Sequence, residues 1–471
     1  MSLIRTVFSV DVLGQILFDE LRVESHAHLC VAYSGGMDSH VLLHATEKLR
    51  GQYPITLTAL HADHGLVPES VDWVRHCRRV CDALNIEFRT SALGINRCGD
   101  GNLEARARSA RYGWLSQAML PGQILLTGHT QDDQAETVIL RLLRGSGIRG
   151  LGGIRESRDF ADGRLLRPLL RFDRASLNDY ARIHGLAWID DPGNYELHFD
   201  RNIVRHRVLP VLCDRWPNAA ASIARSARHL DRAEAALQEI TRVDIEACTT
   251  DPGGAVLARH RVLSAPGLRS LPRSRAELAL RQWVGDCGYP VPRIRVMEEI
   301  FRQLLGPNGK PHGVVSWAGV AVRCYRGRMY VDGTDGFDGG FDREDWNGDA
   351  PLLLDALGVR LVPVPARGRG IGQQHVRTMT VRKRRGGERC RLPERRHRHT
   401  VKHVYQTLGV PPWERQRLPL LFSDDEVVAI PGLLVCVPFA APPGESGVEI
   451  RVEPLAIAET GQSGRSSERS D

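Results

Sequence analysis

Residues 29–39 read LCVAYSGGMDS. A five-residue apolar run enters a serine- and glycine-rich turn. Residues 40–50 then carry apolar side chains at Val41, Leu42, Ala45 and Leu49, the spacing of one helix face. The order is strand, loop, helix. Gly35 and Gly36 let the backbone pass close to an anion. The loop N–H groups and the start of the following helix supply positive potential, and Ser34 and Ser39 add hydroxyl donors. Asp38 cannot itself attract a phosphate, so an acid in this turn points to Mg²⁺ held between carboxylate and phosphate oxygens. The turn is neither G-x-x-x-x-G-K-[ST] nor G-x-G-x-x-G, so it is a different phosphate loop.

Outward from the turn, residues 55–61, 86–91 and 123–128 read as further strands. Residues 69–85, 102–119 and 131–144 read as helices. Strands alternating with helices predict an α/β fold, a parallel sheet covered by helices on both faces. The segment GHTQDDQAETVILRLLRGSG (128–147) follows one of these strands. Asp132 and Glu136 are four apart on its helix, and Asp133 and Glu136 three apart, so each pair shares a face. Paired carboxylates there can hold Mg²⁺ or an ammonium group. The plainer alternative is acids that complement a helix dipole. The position favours the first, because ligand sites of such sheets lie at the C-terminal strand edge.

The hexamer Ser34–Ser39 resembles the phosphate loop of the PP-loop, or N-type ATP pyrophosphatase, superfamily. The segment at 128–147 resembles the GHxxDDQxET signature of the tRNA(Ile)-lysidine synthetases within it. HADHGLVPES (61–70), LEARARSARY (103–112), RLLRPLL (164–170) and the pattern of Asp191, Asn194, Arg201, Asn202 and Arg205 are similar to that family too. The resemblance spans about residues 1–215. It implies that Ser34, Gly35, Gly36, Met37, Asp38 and Ser39 grip the pyrophosphate end of ATP. It implies Mg²⁺ on Asp38 and Asp132, and catalytic roles for Asp38, Asp132, Asp133 and Glu136. It further implies substrate contacts at His129, Arg108, Arg111 and Arg205, although the two helix arginines could instead face solvent. His61 and His64 read as structural. The implied reaction adenylates O2 of the wobble cytidine of a minor isoleucine tRNA with a CAU anticodon. Free L-lysine then displaces AMP, with one of the three acids on the 131–144 helix taking the amine proton. The tRNA thereby changes from methionine to isoleucine identity.

The remaining chain divides by composition. Residues 216–345 read as a helical and mixed middle domain that contacts tRNA, with a helix break at Trp216-Pro217. Residues 332–349 hold seven acids against one arginine among many glycines and read as a linker or long loop. Residues 351–455 read as a small α+β C-terminal domain that binds tRNA, and 456–471 as a disordered tail. Of the 471 residues, 376–402 contain eleven Lys or Arg and two Glu, a local charge of +9 that exceeds the whole-chain +7. Charge focused in this way favours a phosphate backbone, with Arg382, Lys383, Arg384, Arg385 and Arg389 as tRNA contacts. A basic linker is the alternative. Residues 402–432 resemble the C-terminal domain of the longer lysidine synthetases, which implies a grip on the acceptor stem.

The ten cysteines are scattered and form no C-x-x-C pair, which reads as reduced thiols in a cytoplasmic enzyme. Their lack of pairing argues against a sulfur-transferring PP-loop thiolase. The acids at 38 and 132–136 argue against a non-catalytic tRNA-binding protein, and the +9 segment against a small-molecule ligase. No apolar run reaches about 18 residues, so no membrane span is expected. A homodimer is compatible with everything above.

Overall fold

The structure is a computed structural model that describes residues 7–65, 69–95, 103–306, 312–334, 341–377, 379–392 and 397–455. The tail at 456–471 lies outside the described residues. The chain divides into two compact units, Met1–Leu237 and Gln238–Asp471.

In the first unit α1 (Val10–Gly14) precedes β1 (His28–Ala32), α2 (Met37–Leu49), β2 (Thr56–Asp63), α3 (Ser70–Ala83), β3 (Glu87–Ala92), α4 (Leu103–Ala118), β4 (Ile124–Leu126) and α5 (Gln131–Leu143). The alternation matches the sequence reading within a few residues at each boundary. The strands form one sheet in the order β3-β2-β1-β4-β6-β5. β1 pairs in parallel with β2 and β4, and β2 with β3. Alternate β1 residues serve opposite faces. Leu29 and Val31 join Val41, Leu42, Leu57 and Phe172 in one core, while Cys30 joins Leu60, Leu115, Leu125 and Leu165 in another. Cys77 and Cys81 lie wholly buried in the first of these.

The sequence reading missed the hairpin that completes the sheet. After the short helix α6 (Ile148–Leu151), β5 (Ser157–Phe160) pairs antiparallel with β6 (Gly163–Leu166), and β6 runs parallel to β4. Four residues per strand, two of them charged in SRDF, carry no periodic signal. Helices α7 (Arg174–Ile183), α8 (Asp200–Ile203) and α9 (Leu209–Arg215) follow, and α10 (Ala219–Cys248) starts just past the expected break.

The second unit holds β7 (Thr249–Thr250), β8 (Val262–Ser264), α11 (Ala265–Ser270), α12 (Arg273–Asp286), α13 (Ile294–Ile300), β9 (His312–Trp317), β10 (Val320–Tyr325) and β11 (Arg328–Gly333). These strands form an antiparallel sheet, order β7-β8-β11-β10-β9, over a core around Trp283, Ile300 and Val322. Beyond it lie β12 (Arg343–Trp346), β13 (Leu352–Leu354), β14 (Val359–Arg367), β15 (Ile371–Gly372), α14 (Gln373–Val376), β16 (Met379–Arg382), β17 (Arg389–Arg391), β18 (Arg398–Thr400), α15 (Val401–Leu408), β19 (Leu420–Ser423), β20 (Glu426–Ile430), β21 (Leu434–Val435) and β22 (Ser446–Pro454). They enclose a further core around Val381, Tyr405 and Leu421.

The linker reading of 332–349 needs correction. Residues 335–340 lie outside the described residues, but β12 pairs antiparallel with β16, and Trp346 is buried with its indole N–H donating to the Ala350 carbonyl at 2.9 Å. One tryptophan anchors a stretch whose composition is otherwise that of a loop. Residues 378 and 393–396 of the basic segment lie outside the described residues, but β16, β17, β18 and the start of α15 all fall within 376–402.

Candidate active site

The Ser34–Gly36 turn leaves the C-terminal end of β1 and enters α2 with Gly36 at its N-cap. Gly35 has φ +86°. A Cβ there would lie 2.7 Å from Ile189 Cδ1 and 2.9 Å from Cys77 Sγ, so the position requires glycine twice over. Its carbonyl accepts the Ile189 N–H at 2.9 Å, which pins the chain after α7 against the turn. Ser39 Oγ donates to the Gly36 carbonyl at 2.9 Å, lies 3.0 Å from Ser34 Oγ and accepts the Ser34 N–H at 3.2 Å. The two serines thus hold the loop in shape. No side chain caps the start of α2, which leaves a helix N-terminus suited to an anion.

Asp38 sits in the first turn of α2. Its Oδ2 accepts Nε and Nη2 of Arg174 at 3.2 and 3.1 Å. Its Oδ1 is buried without a hydrogen-bond partner. Burial pushes the carboxyl up to about 6, against the pull of Arg174. A buried, half-satisfied carboxylate is costly, and a cation at Oδ1 would relieve it. The chain after β4 crosses here, and a Cβ on Gly128 would lie 3.1 Å from the Asp38 backbone.

Two of the three acids of α5 share their partners, and the third does not. Asp133 closes a capping box. Its Oδ2 accepts the Thr130 N–H at 2.8 Å, while its own N–H donates to Thr130 Oγ1 at 3.4 Å. Its Oδ1 accepts Nη2 of Arg201 at 2.8 Å and of Arg205 at 3.1 Å. Burial pushes this carboxyl up, but Arg201, Arg174 and the capping N–H outweigh it and hold it well below the usual range. Glu136 is 1% exposed and accepts Nε of Arg201 at 2.7 Å and of Arg205 at 2.6 Å. Asp132 turns elsewhere. Its Oδ2 accepts the Arg174 backbone N–H at 2.9 Å, and burial raises its pKa. Asp132 and Glu136 are one turn apart, as read, yet engage different arginines.

Of the expected substrate contacts, His129 Nδ1 lies 2.9 Å from Thr127 Oγ1, and burial lowers its pKa to about 3, so the imidazole is neutral. Arg205 is the partner of Asp133 and Glu136. Arg108 and Arg111 lie on α4 with their guanidinium carbons 5.0 and 5.4 Å from the centre of the Tyr112 ring. His61 Nδ1 meets the Tyr33 carbonyl at 2.9 Å, a structural role.

Two residues of this cluster were not singled out for roles. Arg201 was seen only as part of a pattern. The structure explains that pattern. Asp191 Oδ1 accepts the Gly193 N–H at 2.8 Å, and Asn202 Nδ2 donates to the carbonyls of Gly193 and Glu196, both at 2.9 Å. The resulting fold aims Arg201 and Arg205 at α5. Arg174 was missed entirely. The available signal was Asp173 followed by Ser176, a helix start. Asp173 does cap α7, accepting the Ser176 N–H at 2.7 Å, and that cap places Arg174 between Asp38 and Asp132.

In the second unit, acids within the basic segment and distant from it in sequence offset part of its charge. Arg382 donates to Asp425 at 3.1 Å and lies 4.6 Å over the Phe422 ring. Arg384 is 3.7 Å from Glu388, Arg385 pairs with Asp342, and Arg398 with Glu426. Arg389 is exposed and Lys383 half-buried. Among the described residues no three His, Cys, Asp or Glu side chains form a metal cage, and no helix is long and apolar enough to cross a membrane.

The profile of a PP-loop domain matches residues 11–212, that of a TilS substrate binding domain 263–330, and that of a TilS substrate C-terminal domain 379–452. The tRNA(Ile)-lysidine synthase of Coxiella burnetii (strain RSA 493 / Nine Mile phase I) is 35% identical over 431 residues, which is 91% of this chain and 94% of that protein. The tRNA(Ile)-lysidine synthase of Alkalilimnicola ehrlichii is 38% identical over 419 residues, 88% of this chain and 92% of that protein. Among solved structures, the U34-tRNA thiolase NcsA from Methanococcus maripaludis superposes with a TM-score of 0.41 at 18% identity, covering 47% of this chain and 78% of that one.

Proposed function

This chain belongs to the tRNA(Ile)-lysidine synthase family, and on that premise we propose that it ligates free L-lysine to C2 of the wobble cytidine in a minor isoleucine tRNA with a CAU anticodon, at the expense of ATP. Such a substrate implies a cytoplasmic enzyme. The single observation that carries the reading is Asp38 at the mouth of the serine-glycine turn. One of its oxygens is orphaned, the other is held by Arg174, and the Arg174 backbone N–H holds Asp132.

In the first step the cytidine O2 attacks the α-phosphorus of ATP and pyrophosphate leaves. The turn from Ser34 to Ser39 and the start of α2 receive the pyrophosphate end through N–H and hydroxyl donors. The orphaned Oδ1 of Asp38 fits a divalent cation, which when bound would offset phosphate charge. Arg174 keeps the Asp38 carboxylate aimed. In the second step the lysine ε-amine attacks C2 and AMP leaves, so the amine must reach the site neutral and lose a further proton. Asp133 is held by three guanidinium groups and Glu136 by two. Asp132 holds only a backbone N–H in this cluster, and burial raises its proton affinity. We therefore assign proton acceptance to Asp132 in preference to a second magnesium contact. Arg108, Arg111 and neutral His129 remain the assigned contacts to the tRNA substrate in this unit. Lys383 and Arg389, which make no ion pair among the described residues, are the free members of the C-terminal basic set.

The test is direct. Incubation with ATP, labelled lysine and total tRNA should place label in the isoleucine tRNA with the CAU anticodon, and label elsewhere or nowhere refutes the assignment. Asp38→Ala should lower pyrophosphate release by roughly 10²-fold or more while tRNA still binds. Retained turnover would remove Asp38 from the nucleotide site. A thiolase reading lacks support, since the chain has no C-x-x-C pair.

A further inference from the structure

Beside the candidate active site, α4 and the β5–β6 hairpin bring four arginines around two aromatic rings. Arg108, Arg111 and Arg158 place their guanidinium carbons 5.0, 5.4 and 5.3 Å from the centre of the Tyr112 ring, and Arg158 is also 5.3 Å from that of Phe160. The two rings meet edge to face at 5.8 Å. Behind them Arg167, 4% exposed, donates to the Arg155 carbonyl at 2.6 Å, and its Nε is buried without a partner. None of these four arginines has a carboxylate within ion-pair distance among the described residues. The contrast within one unit is sharp, because Arg174, Arg201 and Arg205 are all paired with acids.

Like charges held together raise the energy of the free protein, and a polyanion offsets that penalty. The potential is felt locally. Burial would raise the Tyr112 phenol, yet Arg108, Arg167 and Arg111 outweigh it and lower it below its ordinary value. The cluster adjoins the active site, since the Thr127 N–H, two residues before His129, donates at 3.0 Å to the carbonyl of Leu166, which precedes Arg167. Guanidinium groups over aromatic rings, with Arg108 and Arg158 exposed, match the way proteins take up an RNA strand, by stacking and by phosphate contact.

We infer that Arg108, Arg158, Tyr112 and Phe160 form a docking platform for the RNA strand beside the target cytidine, holding its backbone phosphates while the base enters the site. The inference rests on the lysidine synthase reading above, which supplies the RNA. No chemistry is assigned to the platform. It positions the strand.

The experiment compares the full-length wild type with Arg108→Ala/Arg158→Ala and Arg108→Lys/Arg158→Lys, with an RNA of the anticodon stem and loop as probe. Binding is measured across a salt series, with ATP binding and melting temperature in parallel. Each phosphate contact contributes a slope of about 0.7–0.9 in log K against log salt, so the alanine pair should flatten the slope by about 1.5. The lysine pair should restore the slope, because charge is kept, but not full affinity, because stacking by a planar guanidinium is lost. ATP binding and melting temperature should not move. An unchanged slope in a folded alanine pair overturns the platform, as does weakened ATP binding with RNA binding intact. Failure of the wild type to modify tRNA would strike the functional reading instead, so the two failures are distinguishable.

Discussion

Gly35 is the residue on which the nucleotide turn depends most. Its φ of +86° disfavours any L side chain, and the space a methyl would need is already filled by Ile189 Cδ1 and Cys77 Sγ. Gly35→Ala should therefore destabilise the first unit by about 2–3 kcal/mol, combining backbone strain with a core clash. Its melting transition should fall by roughly 5–10 °C. A shift under about 2 °C would mean that the turn relaxes freely and is not a rigid cradle. At this scale the sequence is most legible where neighbours in the chain are neighbours in space. Ser34 to Ser39 form one loop, and its serines meet one another. Arg174 could not be read in the same way. It reaches Asp38 across 136 positions, and only the cap at Asp173 hinted that a helix begins there.

Among elements, α5 is the one whose role changes most between pattern and structure. Helical spacing correctly puts Asp132, Asp133 and Glu136 in one turn, but spacing does not name partners. The partners come from α8 and the turn that follows it, as Arg201 and Arg205 fork onto Asp133 and Glu136. Removing one side of such a buried network leaves uncompensated charge, so Glu136→Ala should cost about 3–5 kcal/mol. Arg205→Ala alone should also destabilise, and the double variant should lose less than the sum, with a coupling of about 1–3 kcal/mol. Additive losses in chemical denaturation would show that the two side chains act independently. The same limit governs strands. Long apolar runs such as residues 29–33 were legible, whereas β5, β6 and β12 are four-residue strands whose existence depends on partners elsewhere in the chain.

Over the whole molecule, charge that looks concentrated along the sequence is redistributed by folding, as when Asp342, Asp425 and Glu426 reach Arg385, Arg382 and Arg398. The reverse also occurs, and Glu414 is the example. It lies in the C-terminal part of the second unit, 2% exposed, and its Oε2 accepts the N–H groups of Val256 and Leu257 at 2.7 and 3.0 Å. It thereby ties the start of that unit to its end. Burial pushes its carboxyl up to about 7 from an ordinary 4.5, against the two N–H donors and Arg417, with Asp332 reinforcing the rise. The sign follows. Between pH 4.5 and 7 the folded protein keeps a proton here that the unfolded chain has released, so stability falls as pH rises through this window. The full effect is about 3 kcal/mol. Glu414→Gln carries no titrating proton, so the difference in unfolding free energy between wild type and variant should change by that amount from pH 4.5 to pH 8, in the direction that favours wild type at the acid end. Because Asp38 titrates in the other unit and is present in both proteins, it cancels from the difference. A difference that stays flat across the range would mean that the two N–H donors keep Glu414 ionised in the fold despite its burial.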